Sequence, residues 1–196
     1  MSDAFAFDDS YRARAERIVA RYPEGRQQSA VIPLLDLAQR QAGGWLPTEV
    51  IEYVASYLDM PKIRVLEVAT FYSMFNLEPV GRNFVQLCRT TPCWLRGSDD
   101  LRAVAKDVTG CELGETSDDG AFTVVEVECL GACCNAPMVQ INDDYYEDLT
   151  AESFKAVLEA LKRGETPDTG SQSGRVGSEP TGERATLTGA GAGEGA

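Results

Sequence analysis

Apolar residues recur every three or four positions through the first eighty residues, which is the spacing of amphipathic helices. This period predicts four helices, at residues 10–22, 30–41, 48–58 and 61–72. Gly43 and Gly44 fit the end of the second helix, and Thr48 is a candidate N-cap of the third. We therefore predict a small helical bundle over residues 10–78, preceded by a flexible N-terminus at 1–9.

After Pro79 the pattern changes to short runs rich in β-branched residues, separated by Gly, Asp and Asn. These runs predict strands at 83–88, 122–128, 138–141 and 145–146. Two helices are predicted among them, one from a cap at Ser98 to Gly110 and one from a cap at Thr150 to Gly164. The predicted fold class is α+β, with the helical bundle followed by an α/β domain at 79–164.

The last residues, 165–196, consist mainly of Gly, Ser, Thr, Glu, Pro and Ala, with Val176 and Leu187 as their larger apolar residues. This composition buries too little apolar surface to offset the entropy of ordering the chain. We predict a disordered C-terminal tail.

Charge and composition narrow the function classes. The chain has 31 acidic and 18 basic residues and a formal net charge of −13, which disfavours binding to nucleic acid or to an anionic membrane. No apolar run approaches the roughly 18 residues of a transmembrane helix, so direct membrane insertion is not expected. The first ten residues lack a signal or transit pattern, which favours a cytoplasmic protein with reduced or metal-bound cysteines. The absence of histidine excludes Cys-His catalysis and His-ligated metals.

Four of the six cysteines fall into two pairs, Cys88-x4-Cys93 and Cys129-x3-Cys133, each on a predicted loop that follows a strand. Loops anchored by strands can turn several thiolates to one point, and thiolate is the soft metal ligand among side chains. Zinc sites mostly use x2 spacing within a pair, whereas in a wider 2Fe-2S site each iron can take one pair. The spacing favours an iron–sulfur site.

The other two cysteines are weighed separately. Cys111 has no nearby partner and is expected to be an ordinary buried thiol. Cys134 adjoins Cys133, and Cys129-x4-Cys134 would repeat the spacing of the first pair, so spacing leaves Cys133 and Cys134 both open as the fourth ligand.

Both cysteine motifs resemble a known family. The segments CRTTPCWLRG at 88–97, EVECLGAC at 126–133 and NAPMVQIN at 135–142 closely resemble the 24 kDa 2Fe-2S subunit family of respiratory complex I, the NADH-quinone oxidoreductase. The resemblance extends to VIPLLDLAQ at 31–39 and FYSMFN at 71–76, and covers residues 10–163. It implies a thioredoxin-like second domain and one 2Fe-2S cluster. The ligands that it implies are Cys88, Cys93, Cys129 and Cys133, with Cys134 a non-ligand.

The resemblance also implies a function. The chain would be a one-electron carrier in the proton-translocating NADH:quinone oxidoreductase, exchanging electrons with FMN. Both NADH and FMN would bind a partner flavoprotein among the other peripheral-arm subunits. The complex would lie on the cytoplasmic side of the bacterial inner membrane, or on the matrix side in an organelle, and the helical half would dock on the flavoprotein.

Three alternatives stay open. The nearest is the homologous diaphorase component of a soluble NAD-linked hydrogenase or formate dehydrogenase, which shares the motifs. A structural zinc module and a thioredoxin-like thiol oxidoreductase are the others. One residue adds a specific hypothesis: Gly131 permits an unusual φ, so that amides of the 130–132 turn can donate to the sulfurs.

Overall fold

The computed structural model describes residues 5–180 and 182. The chain divides into two compact units, Met1–Val80 and Gly81–Ala196. The sequence pattern places this boundary two residues earlier, after residue 78. The first unit is helical and the second contains the mixed sheet, in agreement with the α+β fold class.

The helical unit contains four α-helices among its described residues: α1 (Asp9–Val19), α2 (Val31–Gln41), α3 (Thr48–Tyr57) and α4 (Lys62–Phe71). A short 3₁₀ helix, Gln27–Ala30, leads into α2. The helices meet at a core of fully buried aliphatic residues that includes Leu34, Leu35, Val50, Val54 and Val65. At the start of α3 the N-cap position belongs to Pro47, and Thr48 is the first helical residue. The N-cap predicted at Thr48 is therefore wrong by one position.

The predicted flexible N-terminus is also wrong for residues 5–9. Phe7 is 1% exposed, and its ring packs edge-on against Tyr53 and Tyr57 at centroid distances of 5.2 and 5.8 Å. Asp8 caps α1, because its side chain accepts a hydrogen bond from the Tyr11 amide. Burial of an aromatic ring stabilises this segment. The remainder of the predicted flexible segment, residues 1–4, lies outside the described residues.

The described residues of the second unit form a six-stranded sheet with the order β2-β3-β1-β4-β5-β6. Its strands are β1 (Asn83–Cys88), β2 (Glu115–Thr116), β3 (Phe122–Val127), β4 (Val139–Ile141), β5 (Asp144–Glu147) and β6 (Gly170–Ser171). Strand β1 is parallel to β3 and antiparallel to β4, and β5 is parallel to β6. The helices are α5 (Thr91–Leu95), α6 (Ser98–Thr109) and α7 (Ala151–Lys162).

The central strands and the two longer helices share one apolar core. Alternate residues of β1, Val85 and Leu87, are buried in it together with Phe122 of β3 and Phe154 of α7. Helix α7 begins with a capping box between Thr150 and Ser153, at the cap that its sequence predicts. Helix α6 instead has Gly97 at its N-cap in a left-handed conformation (φ 98°), and Ser98 is its buried first residue. The cap predicted at Ser98 is wrong by one position.

The first part of the predicted disordered tail is ordered. Gly170 and Ser171 pair with β5, and the Arg175 side chain forms an ion pair with Asp148 at 2.8 Å. The ordering does not require apolar burial, because hydrogen bonds and charge hold the segment to the sheet. The remainder of that prediction, residues 181 and 183–196, lies outside the described residues. Within the described part of the chain, no helix is long and apolar enough to cross a membrane.

Candidate metal centre

The first cysteine pair stands at the end of β1 and in the short helix that follows it. Cys88 is the last residue of β1, and Cys93 lies in the middle of α5. The sequence pattern predicts a loop around Cys93. The segment is helical because Pro92 lies in the first turn of α5, where a missing N–H leaves no bond unmade. Both thiols are buried, Cys88 at 2% and Cys93 at 1% exposure.

The second pair lies beyond the end of β3. In the parallel register of β1 and β3, Cys88 is opposite Val127, so Cys129 follows at the same edge of the sheet. Gly131 turns the chain with a φ of 88°, and a short 3₁₀ helix, Cys133–Asn135, then presents the second thiol. The Sγ atoms of Cys129 and Cys133 are 3.3 Å apart. Both residues are exposed.

The two pairs converge on one another. Each of the six cysteines is a free thiol. The pKa of the Cys88 thiol is affected by Cys93, and the pKa of the Cys129 thiol is affected by both Cys133 and Cys88, so the two pairs lie close enough to influence each other. The hydroxyl of Thr90 lies 3.5 Å from Cys88 Sγ and also contributes to the environment of Cys129. The structure thus brings all four predicted ligands together.

The remaining thiols have other partners. Cys111 is 3% exposed, and its Sγ donates to the backbone carbonyl groups of Thr109 and Phe122. Cys134 Sγ donates to Asn135 Oδ1 at 3.2 Å, although the residue is exposed. These contacts agree with the expectation that Cys111 is a buried thiol, and they give Cys134 a neighbour outside the group of four.

The pKa values of the four thiols are shifted in different directions. Burial raises the pKa of the Cys93 thiol to about 12. Burial also opposes ionisation of Cys88, but hydrogen bonds from Thr90 and from the backbone at Leu130 outweigh it and lower the pKa. The backbone at Gly131, with Cys133, lowers the pKa of Cys129. The hydrogen bond to Cys129 raises the pKa of Cys133. Each pair therefore combines one thiol with a lowered pKa and one thiol with a raised pKa.

The hydrogen bonds at Leu130 and Gly131 bear on the hypothesis about the turn. A residue with a φ of 88° lies in the left-handed region, which strongly favours glycine. This conformation places the backbone of Leu130 and Gly131 beside the sulfurs of Cys88 and Cys129, as the hypothesis requires.

Several residues support the site in a way that the sequence pattern does not predict. Ala136 and Met138 pack with the first pair in a small apolar cluster that also includes Leu130 and Tyr145. Tyr145 Oη donates to the Leu130 carbonyl at 2.7 Å and so fixes the second loop from β5. A pair of adjacent tyrosines after a turn signals a strand, but no local pattern indicates which ring reaches the site.

A charged bridge supports the strand ends beside the first pair. Arg89 follows Cys88 directly, and its guanidinium contacts Glu126 of β3 at 2.8 Å and Asp99 of α6 at 2.7 Å. These ion pairs tie the first cysteine loop to the neighbouring strand and helix. They also were not predicted from the sequence.

The donor set fits a thiolate-ligated iron–sulfur cluster. It offers four free sulfurs, an apolar wall, and backbone groups that favour the thiolate form, which is the form that binds metal. Among the residues that the structure describes, no three Cys, Asp or Glu side chains form a group compact enough to hold a single metal ion.

Sheet order and the convergent thiols define a thioredoxin-like protein with a four-cysteine site at one edge of its sheet. Comparison with known families agrees: the model described as "Thioredoxin-like [2Fe-2S] ferredoxin" matches residues 15–162. The chain belongs to this family, which confirms the predicted thioredoxin-like fold and the predicted cofactor, one 2Fe-2S cluster.

Among curated proteins, the chain is 57% identical over 158 residues to the E subunit of the NADH-quinone oxidoreductase of Rickettsia bellii. That alignment covers 81% of this chain and 95% of the relative. It is 47% identical over 183 residues to a mitochondrial NADH dehydrogenase [ubiquinone] flavoprotein 2 of Dictyostelium discoideum, covering 93% of this chain and 74% of the relative. These similarities confirm the family resemblance that the cysteine motifs indicate.

A solved structure, an air-oxidised NAD⁺-reducing [NiFe]-hydrogenase, shares the fold with a TM-score of 0.59 and 21% sequence identity. The match covers 66% of this chain and 23% of the hydrogenase chain. At this identity the likeness concerns the fold alone.

Proposed function

We propose that this chain is the one-electron carrier subunit of the NADH dehydrogenase module of a respiratory complex I, and that Cys88, Cys93, Cys129 and Cys133 hold its 2Fe-2S cluster. The observation that carries the proposal is the convergence of four free thiols in a chain 57% identical to the Rickettsia bellii protein over 95% of that relative's length. When bound, the cluster supplies one-electron transfer, here with FMN in a partner flavoprotein that also binds NADH.

The chain's own groups set the conditions for that transfer. The backbone at Leu130 and Gly131 favours negative charge on the sulfurs, which makes a further electron easier to accept. The net charge of −13 acts in the opposite sense, because reduction adds negative charge to an already acidic protein. Burial of Cys88 and Cys93 keeps water from one half of the site. We expect a low midpoint potential.

Hydride chemistry is assigned to the partner because the sequence contains no Gly-x-Gly-x-x-Gly fingerprint for a dinucleotide. In the proposed assembly the chain is peripheral, on the cytoplasmic side of a bacterial inner membrane or on the matrix side in an organelle.

The helical unit is proposed to dock on the flavoprotein. Its described surface exposes large apolar residues on and after α4: Ile63 at 60%, Phe71 at 80% and Met74 at 52%. Aromatic residues and methionine are enriched at the centres of protein interfaces. We expect Phe71→Asp to reduce co-purification of the flavoprotein with this chain by at least about tenfold. Ser56→Asp, which places the same charge at another exposed helical position, serves as the control. Equal recovery with both variants would refute docking through this surface.

A serine series tests the ligand set. Cys88, Cys93, Cys129 and Cys133 are each changed to Ser, and iron and sulfide are measured after anaerobic reconstitution. Loss of a ligand should lower both contents by more than about tenfold, which is the smallest loss typical of removing an outer-shell partner. Cys111→Ser and Cys134→Ser are the matched controls and should keep the wild-type content. A Cys134→Ser variant without a cluster, beside a fully loaded Cys133→Ser variant, would reassign the fourth ligand.

The second candidate is the diaphorase component of a soluble NAD-linked hydrogenase or formate dehydrogenase, favoured by the fold that the chain shares with the NAD⁺-reducing hydrogenase. An affinity tag on this chain in its own cells separates the two. Recovery of membrane-bound NADH:quinone reductase activity supports the first proposal. Recovery of hydrogen- or formate-dependent NAD⁺ reduction supports the second.

A further inference from the structure

The segment after α7 returns to the sheet and crosses beside the second cysteine loop. Residues 170–179, here called the strap, begin with β6, which pairs with Tyr146 and Glu147 of β5. The Gln172 amide continues the contact by donating to the Glu147 carbonyl at 2.9 Å. The family model ends at residue 162, so the strap lies outside the matched region.

One ion pair attaches the strap to the end of β5. The Arg175 guanidinium donates to both Asp148 carboxylate oxygens, from Nη2 to Oδ1 at 2.8 Å and from Nε to Oδ2 at 3.0 Å. The side chains are only 10% and 8% exposed. Ser171 Oγ also donates to Asp148 Oδ2, at 2.6 Å. A two-pronged, charge-assisted pair of this kind fixes the orientation of both partners.

The same two residues hold the turn that carries Cys133. Arg175 Nη2 donates to the Cys134 carbonyl at 2.7 Å, and the Asp148 amide donates to the Asn135 carbonyl at 2.7 Å. The Asn135 side-chain amide donates to Asp148 Oδ2 at 3.2 Å and to the Gly177 carbonyl at 2.7 Å. Asn135 is 2% exposed, although it follows two exposed cysteines. Every one of these bonds joins the Cys133–Asn135 turn to Asp148 or to the strap.

Backbone geometry agrees with a fixed turn. Asp148 has a φ of 52°, in the left-handed region that non-glycine residues seldom adopt. Such a conformation persists where surrounding contacts determine it. At Asp148 these contacts are the bonds to Ser171, Arg175 and Asn135.

We infer that the strap is a positioning device for the 2Fe-2S cluster, in which Arg175 and Asp148 fix the turn that presents Cys133. The inference rests on the proposed function, because it requires Cys133 to be a ligand. The second cysteine pair is exposed and lacks the core packing that holds the first, so its geometry depends on this network. Arg175 acts through the backbone at Cys134, to which it donates, and through Asp148.

Three full-length variants test the inference. Arg175→Ala removes all contacts of the guanidinium, and Arg175→Lys keeps the charge but loses the two-pronged geometry. Arg163→Ala is the matched control, since Arg163 also makes a two-pronged pair, with exposed Glu165, away from the cysteine turn. Each protein is reconstituted anaerobically with iron and sulfide. The rate of cluster loss to an iron chelator and the electron paramagnetic resonance line width after dithionite are then measured, together with the urea midpoint of the cluster-free form.

Arg175→Ala should lose its cluster about ten- to a hundredfold faster than wild type, as for loss of other outer-shell contacts to metal ligands. Its resonance should broaden, because a looser turn presents Cys133 in several geometries. For Arg175→Lys, the rate of cluster loss and the line width should lie between those of wild type and Arg175→Ala. For Arg163→Ala, both should match wild type. A lower urea midpoint for Arg175→Ala with the wild-type rate of loss and line width would show a merely structural role and overturn the inference.

If Arg175→Ala does not fold, the rate of cluster loss from Arg175→Lys tests the inference instead. Faster cluster loss supports the positioning role, and the wild-type rate contradicts it. Wild-type protein that binds neither iron nor sulfide would refute the proposed function and this inference with it. A loaded wild type beside Arg175 variants that behave identically would refute the inference alone.

Discussion

The two cysteine pairs reach the same point by different physical means. Cys88 and Cys93 are 2% and 1% exposed, at the end of a central strand and within a helix. Cys129 and Cys133 are exposed, in a turn that begins after the edge of the sheet. The first pair is placed by packing of the core, and the second by hydrogen bonds and by one glycine with positive φ.

Because of this difference, changes near the two pairs should affect different properties: the stability of the fold for the first pair, and the retention of the cluster for the second. A change that damages the first pair's surroundings should destabilise the fold even without a cluster. A change in the second loop should cost the cluster-free protein less stability than a loss of core packing and act mainly on cluster retention. The following predictions test that division, from the largest expected effect to the smallest.

Removal of the packing beneath Cys88 should have the largest effect. Met138 is 1% exposed and packs with Cys88 and Cys93 in their apolar cluster. Met138→Ala should lower the free energy of unfolding of the cluster-free protein by about 2–5 kcal/mol, because it leaves a cavity. Urea denaturation followed by far-ultraviolet circular dichroism measures this. A loss below about 1 kcal/mol would mean that the core does not support the first pair.

A serine in place of a ligand should affect the cluster-free protein differently in the two pairs. Cys93→Ser buries a hydroxyl group and should lower the free energy of unfolding by about 1–3 kcal/mol. Cys129→Ser lies at the surface and should change stability by no more than about 0.5 kcal/mol. The comparison uses the urea midpoints of the two apo variants. Equal losses would remove the distinction between a packed and a hydrogen-bonded pair.

Gly131→Val should destabilise the apo protein by about 1–2 kcal/mol, since a β-branched residue resists a φ of 88°. It should also slow cluster assembly or shift the midpoint potential, because the backbone would turn away from the sulfurs. Gly25→Val is the control: its φ is 74°, and at both glycines an added Cβ meets no atom within 4 Å. An unchanged spectrum and potential in Gly131→Val would exclude a role for this turn in tuning the cluster.

The smallest expected effect is the loss of stability when acid protonates Asp148 and weakens its attachment to the strap. Burial opposes ionisation of Asp148, but hydrogen bonds from Ser171 and Arg175 outweigh it and hold the pKa below its ordinary value. The stabilisation that ionised Asp148 gives the folded protein is therefore complete above the pKa of an unfolded aspartate, about 3.9. It is lost as the pH falls through the lower pKa that Asp148 has in the folded protein. The stability difference between wild type and Asp148→Asn should shrink over that range, as followed by urea midpoints. A constant difference from neutral pH to acid would contradict it.

Much of the fold could be predicted because local signals agree with the final packing. Strand β1 has the bounds predicted for it, and α7 begins at the predicted Thr150 cap. The two-residue strands β2 and β6 were missed because segments this short carry no periodic signal. Helix α5 was missed because Pro92 suggested a loop, although proline is compatible with a first helical turn.

Long-range partners account for what could not be predicted at the site. Arg175 meets Asp148 across 27 residues of sequence, and Phe7 meets Tyr53 across a longer separation. Neither partner is marked by a local pattern. The spacing of the cysteines alone does not decide whether Cys133 or Cys134 is the fourth ligand. The 3.3 Å contact of Cys133 with Cys129 favours Cys133, and its assignment as a ligand stays a prediction for the serine series.

The most direct test of the central claim is the metal content and spectrum of the full-length protein purified without oxygen. We predict a brown protein with equal amounts of iron and acid-labile sulfide, two of each per chain as in the family's [2Fe-2S] cluster. Dithionite should produce a rhombic electron paramagnetic resonance signal from a reduced cluster. A colourless protein that binds zinc and shows no such signal after anaerobic reconstitution would contradict the account.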